Sequence, residues 1–212
     1  MPSVSRRTVL GSSFSGLAAA LSFGSSLSAD DLSRLRWPAD AAGEDFAPAT
    51  LFLTWQRDPT TTMTIQWVGR ETPFDTSIDY ATLDCEIWLT AKTVTRPFPN
   101  TDMKVHRCEL TGLKGGVEYR FQIGASPREY RFRTMPAQAT NTIQFVSGGD
   151  CGTGPHAVGT NILAARQEPY FALIGGDLAY DNGRSPETFL AFLKNYSRHM
   201  VDPQGRMIPM LS

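Results

Sequence analysis

Two short stretches of this chain end in the same way, and that ending constrains the fold more than any other feature. Residues 143–152 read IQFVSGGDCG and residues 171–180 read FALIGGDLAY. Each begins as an apolar run typical of a buried strand and then breaks at Gly-Gly-Asp. The sequence therefore predicts two strands that each deliver a carboxylate, Asp150 and Asp177, just beyond the strand end.

The segment between these two strands has the pattern of a helix. Apolar residues recur there at near-helical spacing: Val158, Ile162, Leu163 and Ala165. Strand, helix and strand form a βαβ unit, whose strands we expect to be parallel, buried and joined by a right-handed crossover. Asp150 and Asp177 then lie at one carboxyl-terminal edge, where open α/β sheets place their sites. We expect four glycines to keep side chains away from a small ligand there: Gly148, Gly149, Gly175 and Gly176.

A further helix is predicted after the second strand. Ser185 is a favourable N-cap, Pro186 suits the first helical position and Glu187 suits the positive helix end. One apolar face follows, formed by Phe189, Leu190, Phe192, Leu193 and Tyr196. This helix is expected to pack on the sheet.

Two carboxylates at one dry sheet edge repel each other, so we expect a cation between them. Oxygen ligands favour a hard cation. Tyr180 follows Asp177 by three residues, and a phenol needs a strongly Lewis-acidic metal to lose its proton near neutral pH. Ferric iron suits such a phenolate best. The residues therefore predict a metal site that contains Asp150, Asp177 and Tyr180.

Residues 47–134 have the pattern of an all-β segment instead. Six short runs rich in threonine, isoleucine and aromatic residues are separated by turn signals: 51–55, 62–67, 85–89, 105–110, 119–123 and 130–134. This spacing indicates a β-sandwich. The stretch from Leu110 to Tyr119 resembles the tyrosine corner of fibronectin type III domains. Residues 135–141 read as a linker to the α/β segment.

Composition limits the function classes. The chain has 212 residues, 41% hydrophobic residues and a net charge of -1, an ordinary globular balance for one or two domains. Lysine and arginine are scattered along the sequence, so neither a nucleic-acid partner nor a membrane-surface role is expected. We expect His106 to be a surface or hydrogen-bonded histidine, His156 a turn residue and His199 a helix-end residue.

The two Gly-Gly-Asp motifs carry a resemblance to a known family. Gly149-Asp150-Cys151-Gly152 and Gly176-Asp177-Leu178-Ala179-Tyr180 resemble Gly-Asp-x-Gly and Gly-Asp-x-x-Tyr, the first metal motifs of purple acid phosphatases. These enzymes belong to the calcineurin-like metallophosphoesterases, most of which have Asp-x-His in the first motif and lack the tyrosine. The resemblance runs from about Phe46 to the end. It implies a fibronectin type III-like sandwich at 46–134, followed at 141–212 by the first half of an α/β metallophosphoesterase domain with βαβ units.

The resemblance also implies an activity and a cofactor. Asp150 would ligate a ferric ion, Asp177 would bridge it to a divalent Fe, Zn or Mn ion, and Tyr180 would give the purple charge-transfer band. The reaction would be hydrolysis of a small phosphate monoester. The family's remaining ligands lie in a later Gly-Asn-His-Glu motif and in histidine motifs, whereas this sequence ends at MIPMLS. We therefore expect a fragment or a truncated gene product with weak or no catalysis, and we assign no leaving-group acid.

The first residues resemble an export signal. Arg6 and Arg7 precede an apolar stretch rich in serine, glycine and alanine and a small-residue cleavage region near Ala29. This pattern is similar to twin-arginine signals, so residues 1–29 are interpreted as a removable signal, with no membrane span in the mature chain. The expected location is periplasmic or extracellular.

Several alternatives stay open. Residues 152–157 fit Gly-x-Gly-x-x-Ala, which favours a dinucleotide-binding oxidoreductase. An exported binding protein with a vestigial phosphatase half is another alternative, and so is a structural role in which each aspartate caps the following helix. Cys85 and Cys108 are either bridged or two small buried residues, and Cys151 is expected to be a turn residue.

Overall fold

A computed structural model describes residues 48, 50–70, 77–138, 142–180 and 182–212. All of these residues belong to one compact unit, residues 37–212. The predicted signal at 1–29 and Phe46 lie outside the described residues. No helix in the described part of the chain is long and apolar enough to cross a bilayer.

Eight antiparallel strands form the β-rich half as two facing sheets. They are β1 (Phe52–Thr54), β2 (Met63–Gly69), β3 (Ser77–Thr82), β4 (Leu89–Lys92), β5 (Val94–Pro97), β6 (Lys104–Leu110), β7 (Glu118–Ile123) and β8 (Tyr130–Arg133). One sheet has the order β1-β2-β6-β5 and the other has the order β4-β3-β7-β8. The predicted sandwich is consistent with this arrangement.

The sandwich core follows from alternation along the strands. In β7, every second side chain from Tyr119 to Ile123 is buried, as expected for a strand with one face on the core. Trp67, Phe121 and Phe132 are almost completely buried between the sheets. His106 is also buried there rather than on the surface. Its ring stacks on Trp67 with centroids 5.0 Å apart, and Nδ1 lies 3.4 Å from the Thr95 hydroxyl.

The tyrosine corner is confirmed. The backbone N–H of Lys114 donates to the hydroxyl of Tyr119 over 2.8 Å. Leu113, one residue earlier, is buried in the core. The hydroxyl thus satisfies a backbone donor at the turn into β7, which fixes how the chain crosses from one sheet to the other.

Two strands were missed from sequence and one was misplaced. β3 alternates Ser77 and Asp79 with Ile78 and Tyr80, a half-buried pattern that sequence reasoning missed, and β5 is a short edge strand whose residues are mostly exposed. Residues 85–88 are irregular, and β4 begins only at Leu89. Cys85 in this irregular segment and Cys108 in β6 are both free thiols, so the alternative with a disulfide is wrong for this structure.

The second half contains two helices and a small parallel sheet. Its elements are β9 (Val146–Gly148), α1 (Pro155–Ala165), β10 (Ala172–Ile174), α2 (Pro186–His199) and β11 (Met210–Leu211). The sheet order is β11-β10-β9, and both pairs are parallel, as predicted for β9 and β10. Ala172 pairs with Val146 and Ile174 with Gly148.

The expectation that both of these strands are buried is wrong. Ala172 and Ile174 are buried, but Leu173 is 43% exposed and Ser147 and Gly148 are exposed. One face of the sheet packs on the helices, while no described element covers the other face. The strands therefore alternate, unlike strands covered on both faces.

Helix α2 begins as predicted and joins the two halves. Ser185 is the N-cap, and its hydroxyl accepts a hydrogen bond from Thr188 N–H. Leu190, Phe192, Leu193 and Tyr196 are buried in a second apolar cluster. Val68 of the sandwich belongs to the same cluster, and Phe52 and Val105 pack against it. The outer face of the β1-β2-β6-β5 sheet thus supports the helix.

A buried ion network reinforces this junction. Arg206 lies after α2, is 8% exposed and bonds to Asp202 over 2.6 Å. Its guanidinium also contacts Glu118 of β7 at 2.5 Å and Glu168 after α1 at 3.4 Å. Nearby, Val201 and Met207 are buried in the sandwich core cluster. The segment after α2 is therefore part of both halves.

Candidate metal centre

Backbone hydrogen bonds hold together the loops that follow β9 and β10. Gly175 N–H donates to Gly148 O over 2.8 Å and extends the strand pairing by one residue. Beyond it, Cys151 N–H donates to Asp177 O and Gly152 N–H to Leu178 O, both over 3.1 Å. Hydrogen bonds therefore connect the two Gly-Gly-Asp segments both before and after the aspartates. Parallel register therefore places Asp150 and Asp177 at one carboxyl-terminal edge, as the sequence predicted.

All three predicted ligands have left-handed backbone conformations. The φ angles are 52° at Asp150, 49° at Asp177 and 55° at Tyr180. Such angles are rare for residues other than glycine and cost on the order of 1–3 kcal/mol each when imposed on them. Strain of this kind tends to concentrate at functional sites. This strain could not be predicted from the motifs, because aspartate and tyrosine also occur in ordinary turn conformations.

Tyr180 closes the site. Its side chain is 60% exposed, and its hydroxyl donates a hydrogen bond to a carboxylate oxygen of Asp150. The hydrogen bond to Asp150, desolvation and the negative charges of Asp150, Asp177 and Cys151 raise the pKa of Tyr180 to about 12. All these interactions raise the pKa, so the protein atoms alone favour the neutral phenol. A cation at this edge would lower the pKa and favour the phenolate.

The glycines play a smaller role than expected. A methyl group added at Gly148 or Gly176 would meet no atom within 4 Å, and at Gly149 or Gly175 nothing closer than 3.6 Å. Space around the backbone therefore does not require glycine at these four positions. At Gly176 the backbone conformation favours glycine, because a φ of 119° is rarely accessible to other residues.

A cavity of about 250 Å³ lies between β9, β10 and α1 beside the site. Asp150, Cys151 and His156 contribute to its lining. His156 is the second residue of α1 rather than a turn residue. Cys151 is half-buried, and burial followed by the charge of Asp150 raises the pKa of its thiol. The cavity therefore extends from Asp150 along the sheet.

The alternative in which each aspartate caps a helix is wrong. The N-cap of α1 is Gly154, without a side-chain hydrogen bond, and the N-cap of α2 is Ser185. Asp150 and Asp177 both lie earlier in the chain. Their side chains are therefore available at the sheet edge.

The donor set fits a hard cation. Two carboxylates and a phenol supply only oxygen atoms, which are the ligands that ferric and other hard ions prefer. In the described part of the chain, no group of three or more His, Cys, Asp or Glu side chains is placed to hold a metal ion. The third donor here is a tyrosine. A centre with two metals requires ligands in addition to these three.

Sequence reasoning missed a neighbouring cavity of about 290 Å³. It is lined by Asp177, Leu178, Ala179, Tyr180, Asn182 and Phe189. Asn182 and Gly183 also have positive φ angles, of 51° and 71°. An Asn-Gly pair is a turn signal that could have indicated a tight loop here. Phe189 belongs to α2 and stacks on Phe98 of the sandwich, with ring centroids 6.4 Å apart.

Among known protein families, a match is found for the sandwich. Residues 48–134 match the family model described as Purple acid Phosphatase, N-terminal domain. No curated protein matches the chain. The family match covers all eight sandwich strands and supports the resemblance to purple acid phosphatases drawn from the sequence. The α/β segment with Asp150, Asp177 and Tyr180 lies outside the matched residues.

Proposed function

We propose that this chain belongs to an exported phosphatase of the purple acid type, which hydrolyses small phosphate monoesters at a site with a ferric and a divalent ion. The observation that carries the proposal is the contact of Tyr180 with Asp150 at the sheet edge that also presents Asp177. The family match of residues 48–134 supports it independently, because it concerns a different part of the chain.

Each residue has a defined task in this proposal. Asp150 and Tyr180 would hold the ferric ion, and Asp177 would bridge it to a divalent Fe, Zn or Mn ion. When bound, such cations neutralise phosphoryl oxygens and acidify water for attack on phosphorus. The paired loops after β9 and β10 keep the two carboxylates in place, which limits reorganisation when a substrate binds. No described histidine is assigned the protonation of the leaving group.

The proposal is tested by Tyr180→Phe, because the colour of the site depends on the phenolate. We expect the wild-type chain to bind iron and to show a visible absorption band, and the variant to lose that band. The matched control is Tyr170→Phe, two residues before β10, where the ring lies under the Arg133 guanidinium at 3.6 Å. The control should keep the band.

Metal analysis and hydrolysis of p-nitrophenyl phosphate accompany the spectra. Iron binding without a tyrosine-dependent band would contradict the ligand assignment. Wild-type protein that binds no iron would contradict the metal centre and favour the exported binding protein. Binding of a nicotinamide dinucleotide by metal-free protein would favour the oxidoreductase alternative.

A further inference from the structure

The outer face of the β1-β2-β6-β5 sheet has a groove that the proposed reaction does not use. Its volume is about 520 Å³, and its lining comes only from the sandwich: Gln66, Lys92, Val94, Arg96, Pro97, Val105, Arg107 and Glu109. The strand register explains this set. Val94 and Gln66 both pair with Arg107, and Arg96 pairs with Val105, so these side chains share one face.

The side chains that line the groove carry an excess of positive charge. Three cations, Lys92, Arg96 and Arg107, face a single carboxylate, Glu109. Glu109 is already 3.1 Å from Arg57, a fourth cation at the rim, and 3.7 Å from Arg107. Among the described residues, Lys92 and Arg96 have no anionic partner. The whole chain carries a net charge of -1, so this local excess of positive charge is not a general property of the surface.

The groove lies on the same sheet face as α2. Val105 lines the groove and also packs against the cluster that contains α2. Two residues beyond Arg96, Phe98 stacks on Phe189 of α2. Phe189 in turn lines the cavity that contains Asp177 and Tyr180. The groove and that cavity share no lining residue, and the Phe98–Phe189 contact connects the two regions.

We propose that this groove binds the remote phosphates of an elongated, multiply phosphorylated substrate whose terminal phosphate reaches the metal centre. The assignment to a substrate rests on the proposed phosphatase function. A monophosphate cannot reach both places, whereas a chain of several phosphates can. The described lining contains no aromatic side chain on which a base could stack, which favours a phosphate chain over single-stranded nucleic acid.

The test is calorimetric titration of the whole, metal-free chain with linear inorganic polyphosphate, at two salt concentrations. We expect Lys92→Ala/Arg96→Ala to weaken binding about ten-fold, because each substitution removes one cation that pairs with a phosphate. The slope of log K against the logarithm of the salt concentration should become less negative by about two in this variant, because two fewer cations displace counterions. Lys114→Ala/Lys194→Ala is the matched control, since it removes the same charge from two exposed residues outside the groove and should bind like wild type.

Three outcomes would overturn the proposal: equal weakening in the test and control variants, orthophosphate binding as tight as polyphosphate, or tighter binding of single-stranded DNA. Tyr180→Phe separates this inference from the proposed function, because it should keep polyphosphate binding while it loses the iron band. Polyphosphate binding without an iron band in wild type therefore contradicts only the phosphatase centre. An iron band without polyphosphate binding contradicts only the groove.

Discussion

Asp150, Asp177 and Tyr180 all have left-handed backbone conformations, which residues other than glycine adopt at a cost. Nothing in the helix caps or the core requires an aspartate at position 150. The conformation therefore costs stability for the sake of a side chain at the sheet edge. A residue retained for function and not for folding should be replaceable by glycine without loss of stability.

Asp150→Gly tests this reasoning. Release of the left-handed strain, about 1 kcal/mol, offsets the loss of the exposed hydrogen bond to Tyr180, so the free energy of unfolding should change by less than about 1 kcal/mol. Iron binding should be lost. Urea unfolding and metal analysis measure the two effects.

The matched control for this change is Asp58→Gly in the turn before β2. The Asp58 carboxylate accepts bonds from the N–H and hydroxyl of Thr60 over 2.9 and 2.7 Å. The control should therefore lose stability and keep iron binding. A large loss of stability in Asp150→Gly would instead identify Asp150 as a structural residue.

Cys108 predicts how stability depends on pH. Burial, and to a lesser extent the charge of Glu109, raise the pKa of this thiol from 9.0 to about 11. Between these values the unfolded chain loses the proton and the native chain keeps it. The thiol's contribution to stability is therefore complete below pH 9 and is lost as the pH rises to 11, by up to about 1.4 kcal/mol per pH unit.

Cys108→Ala should make this alkaline loss of stability shallower, although it lowers stability at every pH by removing a buried side chain. Urea unfolding at several pH values between 8 and 11 measures the slope. Cys85→Ala is the control, because Cys85 lies in an irregular, partly exposed segment. Equal slopes in Cys108→Ala and wild type would show that other groups determine the alkaline limit.

Among the secondary-structure elements, α2 depends most clearly on its first turn. The Ser185 hydroxyl accepts from Thr188 N–H over 3.2 Å, and Glu187 lies near the positive helix end. Ser185→Ala should lower the free energy of unfolding by about 1 kcal/mol, as measured by urea unfolding. Ser185→Asp keeps an acceptor and should stay within a few tenths of wild type. Equal losses in the two variants would argue against a capping role.

The elements also show what could be predicted from sequence. Local chemistry identifies α2, because a cap, a proline and an apolar face coincide in a few residues. β3 escapes prediction because polar residues alternate with Ile78 and Tyr80 along it, and β5 because its residues are mostly exposed and it is held by its pairing with β6. Asp150, Asp177 and Tyr180 could be singled out from their motifs. Their left-handed angles and the cavity that Asp177 and Tyr180 share with Phe189 depend on tertiary packing that no short motif encodes.

In the whole molecule, Arg206 links the two halves through Asp202, Glu118 and Glu168. Asp202 is 2% exposed, and its carboxylate accepts hydrogen bonds from the backbone N–H groups of Gln204 and Arg206, while the guanidinium is its charged partner. Arg206→Met leaves this charge buried without its partner and should cost about 3–5 kcal/mol in urea unfolding. Arg206→Met/Asp202→Asn should recover much of the loss, because the buried charge is then absent.

Arg70→Ala is the control for this network. Its partner Asp102 lies 3.4 Å away, and both side chains are largely exposed. Such a pair contributes between 0 and about 1 kcal/mol, so the variant should unfold almost like wild type. If Arg206→Met is equally mild, the two halves are held together by apolar packing alone.

Val201 and Met207 have a consequence for the order in which the protein takes shape during synthesis. The sandwich strands end at Arg133, yet these two later side chains complete their core. A ribosome adding about 5–20 residues per second needs several more seconds to make the roughly 70 residues that follow before Met207 exists. During that interval the nascent sandwich lacks part of its interior. The sandwich core is therefore completed only after the segment that contains Val201 and Met207 has been translated.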